Sequence, residues 1–332
     1  MSGRREAWRR LRANRAAYVS LLFLAAVGLI SLAAPLLPLP SPMALDLPDE
    51  PRAPAWPWQE LGRTGWDAAE YWDLNAVDAA LVRARAAVFG TWQTGPWLGT
   101  DAKGRDLLAR IVWGSRISLQ VALAAALCSL LIGVTYGAVA GYCGGRIDNL
   151  LMRVVDVLYS VPLIFLVIFL VSVVGEYRAE LAAAGIDSMT VFYAVIGMVT
   201  WLTMARVVRG QVLALRSAEF VLAARALGAS PTRILLRHVL PNVLPVVVVY
   251  LTLTIPAVML FEAFLSFLGL GVEPPRVSWG LLALDGTEAI HPLRTAWWLV
   301  AAPAAAMGST LLALNVLGDG LRDALDPKLR GR

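Results

Sequence analysis

Long apolar runs, uncharged but for Arg153 and Asp156 in the third, alternate along this chain with arginine-bearing segments. The runs cover 16–37, 117–141, 150–174, 190–205, 244–261 and 295–317. About 20 residues rising ~1.5 Å each cross a ~30 Å hydrocarbon core, so most of these runs are long enough to span a bilayer as helices. Pro162 predicts a kink in the third run, and Gly133, Gly137 and Gly141, four apart, predict close helix packing in the second. Pro38, Pro40, Pro42 and Pro48 exclude regular helix after the first run, and 67–88 reads as one or two short amphipathic helices. With 58% hydrophobic and 16% charged residues, against about a quarter charged in soluble domains, the fold class is an all-α membrane protein with six transmembrane helices.

Charge orders the spans. Residues 1–15 hold six arginines against the single acid Glu6, and the segments placed inside by this start carry 18 of the 29 basic residues. The rest are spread over longer outer segments beside acids, so short loops follow the positive-inside rule. Both termini are expected in the cytoplasm, and the net charge of +5 reflects topology rather than nucleic acid. The first run exceeds the 7–15 residues of a signal h-region and reads as an uncleaved helix. The expected organisation is a basic segment 1–15, a first helix 16–37, an extracytoplasmic loop 38–116, a transmembrane core 117–318 and a cytoplasmic tail 319–332.

Candidate chemistry is sparse. Cys128 and Cys143 lack metal-ligand spacing and read as small core residues; His238 and His291 lie far apart; Lys103 and Lys328 sit in no phosphate-binding loop. No catalytic, metal or cofactor site is expected. Arg153 and Asp156, three apart, read as a local pair. The stretch 38–110 holds six of the twelve tryptophans (56, 58, 66, 72, 92 and 97), and these either pack a cap at the interface or line a substrate vestibule. Thr252, Thr254 and Pro256 either repair a helix or line a path. Leu107, Leu108, Ile111 and Val112 form a stripe expected on the membrane surface as an elbow.

The stretch 217–241, SAEFVLAARALGASPTRILLRHVLP, is a polar island between two apolar runs. Glu219 stands in the first turn of one short helix, Gly228 ends it in the left-handed conformation, and Ser230–Pro231 starts a second, closed by Pro241 and Pro245. The spacing Ala223-Ala224, Gly228, Leu240-Pro241 resembles the "EAA" loop of ABC importer permeases. Leu222 replaces that motif's glutamate and His238 its isoleucine. Ala223–Ser230, Arg237–Asn242, the GTDAKGRD of 99–106, the LSFLGLG of 265–271 and the ending 318–330 are similar to the C-type subunit of the dipeptide/oligopeptide/nickel branch. Residues 41–96 carry no such likeness.

This resemblance implies a type I (MetI-like) bundle and a subunit that hydrolyses nothing itself. It implies a homologous permease partner in a heterodimer, two ABC ATPase subunits, an extracytoplasmic binding protein, surrounding membrane lipid and no nucleic acid, in the inner membrane of a prokaryote. Glu219, Ala223, Ala224, Arg225, Gly228, Ser230, Pro231, His238, Leu240 and Pro241 would form the ATPase-coupling loop. Two other classes remain: a secondary ion-coupled transporter, which needs titratable groups inside its spans, and an intramembrane enzyme such as a lipid-modifying hydrolase, which needs a clustered catalytic site.

Overall fold

A computed structural model describes residues 2–45, 51–54, 63–64, 71, 74–289 and 296–325. Trp56, Trp58, Trp66, Trp72, His291 and the tail beyond Leu325 lie outside them. The described elements are α1 (Ser2–Ala13), α2 (Arg15–Ala33), α3 (Ala76–Phe89), α4 (Leu107–Cys128), α5 (Val134–Cys143), α6 (Gly145–Ser160), α7 (Leu163–Glu176), α8 (Arg178–Ala183), α9 (Ser188–Leu215), α10 (Glu219–Ala226), α11 (Pro231–Ile234), α12 (Leu240–Phe267), α13 (Trp279–Glu288) and α14 (Trp298–Leu325). A two-residue antiparallel pair, β1 (Arg63–Thr64) with β2 (Trp92–Gln93), completes the set.

Five helices are long and apolar enough to cross a membrane, six if α6 and α7 count as one broken span. That pair corrects the third span: the chain turns 83° there, beyond a kink, because Val161 is extended before Pro162 and α7 restarts behind it. The other helices outrun their apolar cores. The second span begins at Leu107 rather than 117 and runs 37 residues to Cys143, widening into a π turn at Ser129–Gly133. The fourth extends to Leu215, which brings Arg206 and Arg209 into the helix, and the last to Leu325. Pro241 does not end a helix either. A π turn at Leu235–Val239 precedes it, with Leu240 N–H donating to the Leu235 carbonyl, and joins α11 to α12 as one 37-residue rod from Pro231 to Phe267. The widened turn takes the place of the i→i−4 bond that a proline cannot make.

The described residues fall into two compact units. The first comprises Met1–Leu21, Val121–Met259 and Ala313–Arg332. Its centre is a seam between α5 and α9. A Cβ added at Gly133 would stand 2.8 Å from the Trp201 carbonyl oxygen, one at Gly137 2.3 Å from that of Ala205, and one at Gly141 2.7 Å from that of Arg209. Only glycine permits this approach. Cys128 is half-buried, its Sγ 2.6 Å from where a Cβ on Gly197 would lie, and Cys143 is exposed, so Cys143 is not the core residue expected. Leu11 and Ala17 pack with Ala324, tying the N-terminal helices to the end of α14.

The second unit comprises Leu22–Gln120 and Leu260–Leu312, and it explains the GTDAKGRD segment. Asp101 Oδ1 accepts from the backbone of Lys103 and Arg105, while its Oδ2 accepts from the guanidinium groups of Arg105 and Arg110, each at 2.7 Å. Arg110 also reaches Asp285 of α13 at 2.9 Å. Gly104 turns at φ +74°, and Asp106 caps α4 by accepting from Ala109 N–H at 2.7 Å. Leu107, Ile111 and Val112 are buried, which corrects the surface stripe: the Trp279 indole donates to the Ile111 carbonyl at 2.9 Å. A second hub is Glu262, 1% exposed, which accepts from Ser118 at 3.2 Å and Ser266 at 2.8 Å. These hubs bind α4, α12 and α13 together.

Two paired comparisons test this packing by thermal unfolding in detergent. Gly137→Ala is expected to destabilise by about 3 kcal/mol through overpacking against backbone. Gly210→Ala, with nothing within 4 Å of the new Cβ, is expected to be neutral or slightly stabilising. Asp101→Ala, which leaves the buried Arg110 with Asp285 as its carboxylate partner among the described residues, is expected to cost about 3 kcal/mol. Asp156→Ala, from a pair 65% and 42% exposed, should cost less than about 1 kcal/mol.

Candidate functional site

The island folds as a knob on the first unit. After α9 ends, Ala218 is extended (φ −69°, ψ 148°) and reverses the chain into α10, whose first turn holds Glu219. Gly228 closes α10 at φ +79°. Its N–H donates to the Arg225 carbonyl at 3.0 Å and that of Ala229 to the Ala224 carbonyl at 3.1 Å, the paired bonds that satisfy a helix end. Ser230, extended, accepts from Arg233 N–H at 3.4 Å, and Pro231 takes the first helical position.

The knob has two faces because apolar residues three apart share one side of a helix. Val221 and Ala224 point inward to Val212, Ile234, Val239 and Val243, all buried. Outward stand Phe220, Leu222 and Leu227, exposed by 41%, 50% and 89%, beside exposed Glu219, Ala223, Arg225 and Gly228. Water favours neither face of such a tip, and an apolar group this bare marks a contact surface. Leu222, at the position where the motif has glutamate, belongs to it. Ala224 is therefore packing, and Ser230 and Pro231 set the turn. His238 and Leu240 are half-buried in the foot of α12, where the His238 carbonyl accepts from Asn242 at 2.7 Å, and Pro241 is exposed on the same foot.

Sequence spacing missed the charged pairs above the knob. Asp156 bonds Arg206 at 2.7 Å rather than Arg153, and Asp148 takes the Arg209 guanidinium by two bonds of 2.9 and 2.6 Å. Their partners lie 50 and 61 residues away, beyond any local pattern. The available signal was charge inside a helix otherwise apolar enough to span. Among the described residues no group of three or more metal-ligating side chains gathers.

Residues 133–331 match the family described as binding-protein-dependent transport system inner membrane component, and residues 2–54 match the N-terminal TM domain of oligopeptide transport permease C. The chain is 48% identical over 234 residues to the dipeptide transport system permease protein DppC of Bacillus subtilis (strain 168), covering 70% of this chain and 69% of that one. It is 40% identical over 325 residues to the oligopeptide transport system permease protein OppC of Escherichia coli (strain K12), covering 98% and 91%. That match runs through 41–96, which shows no likeness by motif. It is 37% identical over 266 residues to the glutathione transport system permease protein GsiD of Pectobacterium atrosepticum, covering 80% of each chain. The fold is similar to that of the inward-facing MetNI methionine ABC transporter, with a TM-score of 0.52 at 18% identity over 66% of this chain and 98% of that one.

Proposed function

The chain belongs to the family of binding-protein-dependent transport system inner membrane components, as a permease subunit of an ABC importer rather than an enzyme, and from that premise we propose that it carries peptides and is driven through the α10 knob. Relatives named for dipeptide, oligopeptide and glutathione transport support the substrate class. The observation that carries the coupling role is Leu227, the most exposed large apolar side chain among those described, held at the tip of a turn that its own hydrogen bonds make rigid.

The chain hydrolyses nothing in this scheme. Two ATPase subunits grip Phe220, Leu222, Arg225 and Leu227, with Glu219 and Gly228 beside them, and a homologous permease completes the path. An extracytoplasmic binding protein delivers the peptide. The knob and both termini face the cytoplasm, as the arginine distribution supports. Because Val221 and Ala224 share a core with α9 and the foot of α12, a push on α10 moves both helices as one body. Ser230, Pro231, His238, Leu240 and Pro241 keep the knob at a fixed angle to that foot.

The test is uptake and ATP hydrolysis by the full complex in proteoliposomes. Gly228→Val places a β-branched residue at φ +79° with open space around its Cβ, so it strains the backbone rather than the packing. It is expected to leave the complex assembled and to lower peptide uptake per ATP about tenfold or more. Leu227→Asp is expected to weaken ATPase binding by roughly 2 kcal/mol, the scale of a hot-spot residue. Uptake at the normal rate in both variants overturns the coupling role of the knob.

A further inference from the structure

The first unit also carries a charged groove that the coupling role does not use. Arg153, Asp156, Asn149 and Ser160 of α6 face Arg206 and Arg209 of α9 across a space of about 800 Å³, within the range of small-molecule sites. α6 is apolar on its other side, where Ile147, Leu150 and Val154 are exposed, so lipid has a face of its own on this helix, while Val157 lines the groove. Ionised groups on helices at the membrane are costly against hydrocarbon and mark paths for polar solutes. Asp156 and Arg206 are nonetheless 65% and 42% exposed.

The groups in the groove are not equivalent. Arg209 is held by both oxygens of Asp148, itself 7% exposed, and serves as an anchor. Arg206 is held lightly, by one bond to Asp156 and by stacking 3.9 Å over the Tyr159 ring, and Tyr159 is positioned by Thr203 at 2.5 Å. Arg153 is exposed and has no carboxylate partner among the described residues. Guanidinium groups of this kind receive a carboxylate, and Asp156 receives an ammonium. Both signs in one groove fit a zwitterion, whereas an anionic lipid phosphate would leave Asp156 without a partner.

We propose that this groove is a substrate-contact site on the translocation path, where Arg153 and Arg206 take the carboxylate of a passing peptide and Asp156 its ammonium group. The proposal rests on the peptide-permease function above and adds the residues that meet the cargo. An arriving carboxylate displaces Asp156 from Arg206 and frees it for the amine, so each end of the peptide replaces a bond already present. Light holding suits a path, which has to release what it binds.

The experiment uses the purified full complex in detergent, with Cys128→Ala and Cys143→Ser as background and Ser160→Cys as probe. Water-soluble thiol reagents, one anionic and one cationic, report on the groove. The anionic reagent is expected to react faster, by about fivefold for one nearby unit charge, and Arg153→Gln, which breaks no side-chain bond among the described residues, should remove that preference. A free dipeptide is expected to slow labelling at about tenfold lower concentration than the same dipeptide amidated at its C-terminus. Arg153→Gln should erase that difference too. No labelling by either reagent would show the face covered by another chain or by detergent, and overturns the proposal. Protection that follows added anionic phospholipid instead of dipeptide would assign a headgroup site and also overturns it. Peptide uptake by the wild-type complex, measured in parallel, separates the two claims: uptake without protection sinks the groove alone, and absent uptake sinks the peptide function.

Discussion

Three glycines, one closing the π turn before α5 and two on α5, set the position of everything that works in the first unit. Between helices in a membrane, burial of apolar surface gives little drive, because lipid tails are as apolar as leucine; close backbone contact has to supply the attraction. At Gly133, Gly137 and Gly141 the α9 carbonyls come near enough that no other side chain fits. The seam spans the middle of α9, and what it fixes is a rod. One end of that rod carries the knob, its buried Val208 and Val212 sharing a core with Val221 and Ala224. Arg206 and Arg209 lie in the knob-side half of the seam, and the Arg209 backbone is itself one of the seam contacts. Coupling surface and charged groove are therefore carried on the same stiff element.

That arrangement decides how force is transmitted. An eight-residue helix such as α10 has little stability in isolation, since a first turn is costly to nucleate. It is held by Val221 and Ala224 beneath and by the paired bonds at Gly228. The foot of α12 continues through its π turn without a joint, so a load on the knob meets two long helices and no hinge. The sharp bend at Val161–Pro162 lies away from that line, between α6 and α7. α6 is tied to α9 by the Asp148–Arg209 anchor, by Val155 packed against Trp201, Leu202 and Ala205, and by two exposed bonds, Arg206 to Asp156 and Tyr159 to Thr203.

Local chemistry was legible in the chain and long-range chemistry was not. Gly228, Ser230 and Pro231 announce their turn because positive φ, capping and the first helical position are each decided within a few residues. The glycine spacing announced a seam, though not its partner. Asp156 was assigned to Arg153 because three residues apart is all a sequence shows, whereas the shorter bond goes to Arg206 on another helix. Helix ends were misplaced for a physical reason: apolar runs mark where lipid touches, and helices here continue past it, carrying Arg110, Arg206 and Glu262 into bonds that hydropathy treats as boundaries. Pro241 misled in the same way, since a wide turn ahead of it removes the clash that would have stopped the helix.

The two candidate sites share one signature. Each exposes the chemistry opposite to what its surroundings favour. At the polar tip, where water is the expected neighbour, Leu227 is bare; along helices apolar enough for lipid, Arg206 and Asp156 are bare. A chain that folded for water or for lipid alone would have turned both inward, and the packing leaves room for neither. Leu227 follows a helix end that points it away, and Arg206 faces the side of α9 that α6 leaves open. The first mismatch is relieved by an apolar surface from another protein, which stays. The second is relieved by water and by a solute carrying both charges, which passes.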